Sequence, residues 1–223
     1  MAWSGDLNQI ATTRMSGGNH ESGYGKDSGD FGGFRVKSIE EQQAVFGPLW
    51  WKEELGKLLV VGVCTPIEAE IPARNIASKQ RLFLRECAIQ FEQRPWVLVV
   101  HEMGFIDRLL QIVEPVCQME RTLRNCQAIL VGDLHSPGKF RLVRALKSAR
   151  AFFGHSRTVE LLKKVVFCPS TAPLWWEGFG ALTLEWDDVA GKLTSRQVRL
   201  LKPPDYEPLP TESFWTYLKW CMF

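Results

Sequence analysis

The stretch Leu58-Leu59-Val60-Val61-Gly62-Val63-Cys64 decides how the chain folds. It is short, rich in β-branched residues and apolar at both odd and even positions. A strand reads this way when both of its faces are covered, as in the parallel sheet of an α/β domain. The same grammar returns in PWVLVVHE (95–102) and CQAILVGDL (126–134), and KVVFCPS (164–170) supplies a fourth strand.

The segments between these runs carry helical spacing. Ile76, Phe83, Cys87 and Phe91 fall on one helix face, with Lys79, Arg85 and Glu86 left for water. Phe105, Leu109, Ile112, Val113 and Val116 make a second stripe, which Pro115 should kink or split. Phe140, Val143, Leu146 and Phe153 make a third. Intervals of about 25 to 30 residues between strands are too long for hairpins and suit crossovers through helices. The pattern predicts a three-layer α/β domain: a mostly parallel sheet of about four strands, with helices on both faces.

Outward from this core (55–175) the grammar changes. Residues 38–54 read as a short helical lead-in containing Phe46, Trp50 and Trp51, broken by Gly47 and Pro48. Leu182, Leu184 and Trp186 alternate with Ala181, Thr183 and Glu185, and Val198 and Leu200 can oppose them across a turn near Gly191. That predicts an antiparallel hairpin over 180–201 at one edge, completing a single domain at 36–201. Residues 1–35 are rich in Gly, Ser, Asn and Asp and read as a disordered arm. Residues 202–223 form a proline-rich, then aromatic tail. Phe214, Trp215, Tyr217, Leu218, Trp220, Met222 and Phe223 are too apolar for a free tail, and docking on the chain's own domain, beside Trp175 and Trp176, is expected.

The 223 residues are 45% apolar and 23% charged, which allows a sizeable core. A formal net charge of +2 names no partner class by itself. The start MAWSGDLNQI lacks the pattern of a secretory signal, and no apolar run is long enough to cross a bilayer. A cytoplasmic protein is expected, with the nucleus as the alternative. Six widely spaced cysteines fit buried free thiols better than a disulfide framework.

In a parallel sheet every strand ends at the same edge, where ligands of open α/β folds bind. The residues expected there are Cys64, Thr65, His101, Glu102, Asp133, His135, Cys168, Ser170 and Thr171. Catalytic candidates are His101, Asp133, His135 and Cys168, since they combine bases, a carboxylate and a nucleophile. The specific signatures are missing, however. TPIEAEIPARN after the first strand is neither a Gly-rich dinucleotide turn nor a phosphate loop, and no G-x-S-x-G elbow occurs. His101-Glu102 begins like a zinc-protease motif, but Phe105 stands where the second histidine belongs. With no Cys-x-x-Cys pair either, neither a cofactor nor a metal is expected.

Two features point to contact surfaces. Lys139, Arg141, Arg144, Lys147, Arg150, Arg157, Lys163 and Lys164 face a single acid, Glu160, within 139–164. Arg144, Lys147 and Arg150 are helix neighbours and are expected to form an outward patch for nucleic acid or an anionic surface. Pro203, Pro204, Asp205 and Tyr206 make a PPxY sequence of the kind taken by WW-type domains.

The succession RPWVLVVHE, NCQAILVGDL and ELLKKVVFCPSTAP resembles, over about residues 55–173, a vertebrate open-reading-frame family defined as a domain of unknown function. The resemblance implies no activity and assigns no functional residue. The sequence therefore favours a non-enzymatic interaction or adaptor protein using the basic helix and the PPDY tail. The alternative is a hydrolase or transferase with its site at the strand ends.

Overall fold

The computed structural model describes residues 43–44, 47–65, 67, 74–132, 137–152, 156–168 and 180–199. The expected N-terminal arm and C-terminal tail lie outside them, as do Asp133, His135, Ser170, Thr171, Trp175 and Trp176. The strands are β1 (Trp51–Leu55), β2 (Leu58–Gly62), β3 (Trp96–Val100), β4 (Cys126–Val131) and β5 (Val165–Phe167), with β6 (Gly180–Asp187) and β7 (Lys192–Arg199) apart. The helices are α1 (Arg74–Phe91), α2 (Phe105–Val113), α3 (Met119–Asn125), α4 (Pro137–Phe152) and α5 (Ser156–Lys163).

The four apolar runs form the parallel ladder β2-β3-β4-β5, as their pattern requires. Gln43 and Ala44 are helical and Gly47 breaks the run as expected, but a fifth strand corrects the helical reading from Trp51 on: β1 pairs antiparallel with β2, Leu55 opposite Leu58. Two residues make the turn between them, and Gly56 takes a left-handed φ of 58° there. Gly62 receives the Trp51 ring directly on its backbone, where any Cβ would collide with the indole. Lys52, Glu53 and Glu54 hide this strand from a periodicity test. They also suit an edge strand, since charges discourage pairing with another chain.

Strand order follows chain order from β1 to β5 without reversal. Right-handed crossovers in such a sheet put every helix on the same side. Buried residues of all five helices accordingly share one cluster with Leu59, Val61, Trp96, Leu98, Val100, Ile129 and Val131. The expectation of helices on both faces is thus overturned. The other face, Leu58, Val97, Ala128 and Leu130, is covered by Leu182, Leu184, Trp186 and Leu193 of the β6–β7 hairpin. The hairpin forms as expected, with Ala181 opposite Val198, but it lies over the sheet instead of extending its edge. The third layer is therefore β, not α.

Internal bonds hold the helix side. Trp96 stacks on Phe91 with centroids 4.3 Å apart and donates its indole N–H to the Thr122 carbonyl at 2.9 Å. The Gln80 amide, fully buried, accepts from the Cys64 N–H at 2.9 Å and donates to the Cys64 carbonyl at 3.2 Å. Pro115 ends α2 two residues early, and the chain turns before α3 begins. The hairpin is tied at its tip: Asp188 Oδ1 accepts from the Lys57 N–H at 2.8 Å and the Trp186 indole N–H at 2.5 Å. Arg94 braces the β1–β2 turn from below, donating to the carbonyls of Gly56 and Lys57 and to Glu54. Cys64, Cys87, Cys117, Cys126 and Cys168 are all free thiols. No described helix is long and apolar enough to cross a membrane.

Candidate functional site

The carboxyl edge of the sheet comes first, because the parallel register gathers the ends of β2 to β5 there. Val63 donates its N–H to Val99, Gly132 to His101 and Cys168 to Val131, so the segments just past each strand remain stitched together. Cys64 is wholly buried and its backbone is clasped by Gln80. Thr65 beside it is buried too, and its Oγ has no hydrogen-bond partner among the described residues. His101 and Glu102 are half-buried and both are engaged by neighbours. Cys168 is half-buried, and desolvation pushes its thiol up to about 11, with the Val131 backbone contact opposing the shift. A thiol with that value is protonated at neutral pH, the opposite of an activated nucleophile.

Of the four catalytic candidates, the described residues therefore include His101 and Cys168 at the same edge, while Asp133 and His135 fall outside them. No group of three or more His, Cys, Asp or Glu able to hold a metal occurs among the described residues.

The basic segment divides into two unlike halves. On α5, Arg157 is paired with Glu114, and Lys163 with Glu160 at 2.6 Å. On α4, Arg141, Arg144 and Lys147 have no acid partner among the described residues, and Arg144 sits over the Phe140 ring at 5.3 Å from its centroid. The side chain of Arg150 lies outside the description. The net positive potential of the segment thus resides on α4.

The orientation of α4 differs from the expected one. Phe140 is buried and packs against Phe167 of β5, with ring centroids 5.6 Å apart, and Val143, Arg144 and Lys147 are half-buried on the same face. Those four positions follow the i, i+3, i+4, i+7 spacing of one helix face. Leu142, Ala145, Leu146 and Ala149 repeat the spacing on the opposite face, where the last three are exposed and Leu142 half-buried. Leu146, expected in the core stripe with Phe140 and Val143, leaves 53% of its surface in solvent. The expectation that Arg144 and Lys147 stand outward over an inward apolar face is corrected: the apolar face points out and these two cations flank the anchored side.

Sequence reasoning passed over Leu142, Ala145, Leu146 and Ala149. Their spacing was visible, but α4 contains two apolar stripes and only packing chooses between them. Phe140 decides the matter, because the larger side chain gains more by reaching the core. Comparison with known proteins finds no matching family model, no matching curated protein and no matching solved structure.

Proposed function

We propose that this chain is a non-enzymatic interaction protein whose α/β domain serves as a scaffold, with α4 as one contact surface and the tail segment around Pro203, Pro204 and Tyr206 as another. The observation that carries the reading is the pairing pattern on α4. Arg141, Arg144 and Lys147 have no acid partner among the described residues, and the side of the helix opposite Phe140 turns Ala145, Leu146 and Ala149 to solvent. Cations left without acid partners are available to the anionic groups of a partner. A hydrolase or transferase site at the carboxyl edge is less favoured, because the Cys168 thiol stays protonated and no motif tied to chemistry accompanies it. The PPDY sequence adds a second contact of WW-ligand type.

A photoreactive residue at position 146 tests the α4 surface, with position 183 on the exposed side of β6 as the control. The expected result is an adduct, to protein or lipid, from position 146 only, and its loss on adding Arg141→Glu and Lys147→Glu. The same adducts from both positions would remove α4 as a contact surface.

A further inference from the structure

We infer that β1 is a self-association edge: two copies of this chain pair antiparallel through Trp51–Leu55, with Lys52 of each copy opposite Glu54 of the other. This surface is separate from both α4 and the tail.

The backbone leaves the edge open. β1 is the outer strand of the five-stranded sheet among the described residues. Leu55 and Leu58 close a two-residue turn, and such a closing pair exchanges both of its hydrogen bonds. Glu53 and Trp51, in phase with Leu55, likewise turn their N–H and C=O groups toward β2. Those of Lys52 and Glu54 therefore point away from the sheet, and no other described segment bonds to them. Both residues are exposed. The opposite edge, β5, is only three residues long and offers a shorter ladder.

Side chains then choose the partner. Charges discourage pairing with an arbitrary strand, yet here they fit the same strand run the other way. A twofold axis at Glu53 sets Lys52 opposite Glu54 and, by symmetry, Glu54 opposite Lys52. Each pair falls where the outward groups can exchange both hydrogen bonds. The neighbouring registers that keep this phase set Lys52 against Lys52 or Glu54 against Glu54, and like charges directly opposite are destabilising. On the hairpin side the favoured register lays Leu55, 55% exposed, beside Trp51 of the other copy. Only Glu53 meets a like charge, on the axis, and it is half-buried and already engaged within its own chain. A contact of this length is small for a specific interface, so the dimer is expected to be weak and to depend on concentration.

The test is sedimentation velocity of the full chain over a concentration series, where a monomer–dimer equilibrium is expected. Lys52→Glu turns both attractive pairs into repulsive ones without removing the Arg94 bond to Glu54, and should raise the dissociation constant about thirtyfold. Glu54→Lys should weaken the dimer in the same way, with lysine facing lysine. Mixing the two variants should restore it, since each then meets its opposite charge at both pairs. Circular dichroism checks that each variant is folded. An independent readout is Glu53→Cys: the axis brings the two substituted positions within disulfide reach, so mild oxidation should link the chains. Glu86→Cys, exposed on α1, is the control and should not link. A monomer at every concentration overturns the proposal. So does a dimer that Lys52→Glu leaves unchanged, because it uses another surface, or a mixture of folded variants that stays monomeric. Where Glu54→Lys does not fold, the disulfide decides: equal linkage at positions 53 and 86, or none at 53, overturns the pairing.

Discussion

The two faces of the sheet are made by the same strands yet closed in different ways. On the helix side, Trp96, Leu98, Phe91 and Leu84 are buried to 1% exposure or less, and the Trp96 indole N–H is matched by the Thr122 carbonyl. On the hairpin side, Val60, Val99, Leu182, Leu184, Trp186 and Leu193 remain only half-buried. Hydrogen bonds at the exposed tip add a tie there. A doubly apolar strand demands two covers, but nothing demands that they be equally firm. The helix side carries most of the stability, and the hairpin is the cover that opens first.

The largest expected effect breaks the firm side. Trp96→Ala removes the stack on Phe91 and the indole's hydrogen bond to the Thr122 carbonyl, and empties a deep site. Denaturant unfolding should show a loss of about 3–5 kcal/mol, the range for a large aromatic truncated in a core. A loss below about 1 kcal/mol would mean that the helix side is no better packed than the hairpin side.

A smaller effect is expected from the same kind of truncation above the sheet. Leu184→Ala removes a half-buried side chain and should cost about 1 kcal/mol. More telling is where the change appears. Hydrogen exchange should quicken in β6 and β7 while the amides of β3 and β4 keep their protection. Equal loss of protection in both sheets would show that the two covers unfold as one unit, and the contrast would fail.

These differences also explain what was legible in the sequence. The strands from Leu58, Trp96 and Cys126 could be read because burial on both faces leaves no room for a charge. The single run of α1 from Ile76 to Phe91 could be read because its apolar positions recur on one face and Lys79, Arg85 and Glu86 on the other. β1 could not, since WKEEL sits on an edge where polar residues are favoured, so its evidence is a glycine at position 62 that makes sense only with Trp51 above it. The one-sided helix layer was also hidden, because it follows from strand order, and apolar runs carry no record of who their neighbours are. At the candidate site the cations on α4 were plain as composition. The pairing of Arg157 on α5 and the outward turn of Leu146 depend on Glu114 and on the Phe140–Phe167 contact, which local spacing does not encode.

The smallest predicted effect sharpens the comparison at the hairpin tip through pH. The Lys57 N–H and then the Trp186 indole, both donating to Asp188, hold its carboxyl below the usual aspartate value, with the Lys57 and Arg94 charges adding to them. A carboxylate whose pKa is lower in the folded state contributes stability above its unfolded pKa and loses it as pH falls through the folded value. The tether is therefore intact at neutral pH and released by acid, while the helix side has no comparable dependence at Trp96 or Gln80. Because Asp188 is exposed, solvent screening keeps the effect small and local. Following the Trp186 indole N–H resonance by NMR from pH 6 downward should show it leave its hydrogen-bonded position only once the pH has fallen below the ordinary aspartate range. In Asp188→Asn the resonance should already be displaced at pH 6 and barely move with acid. A wild-type indole that stays fixed to pH 2 would mean that apolar packing on the sheet, and not the carboxylate, holds the hairpin down.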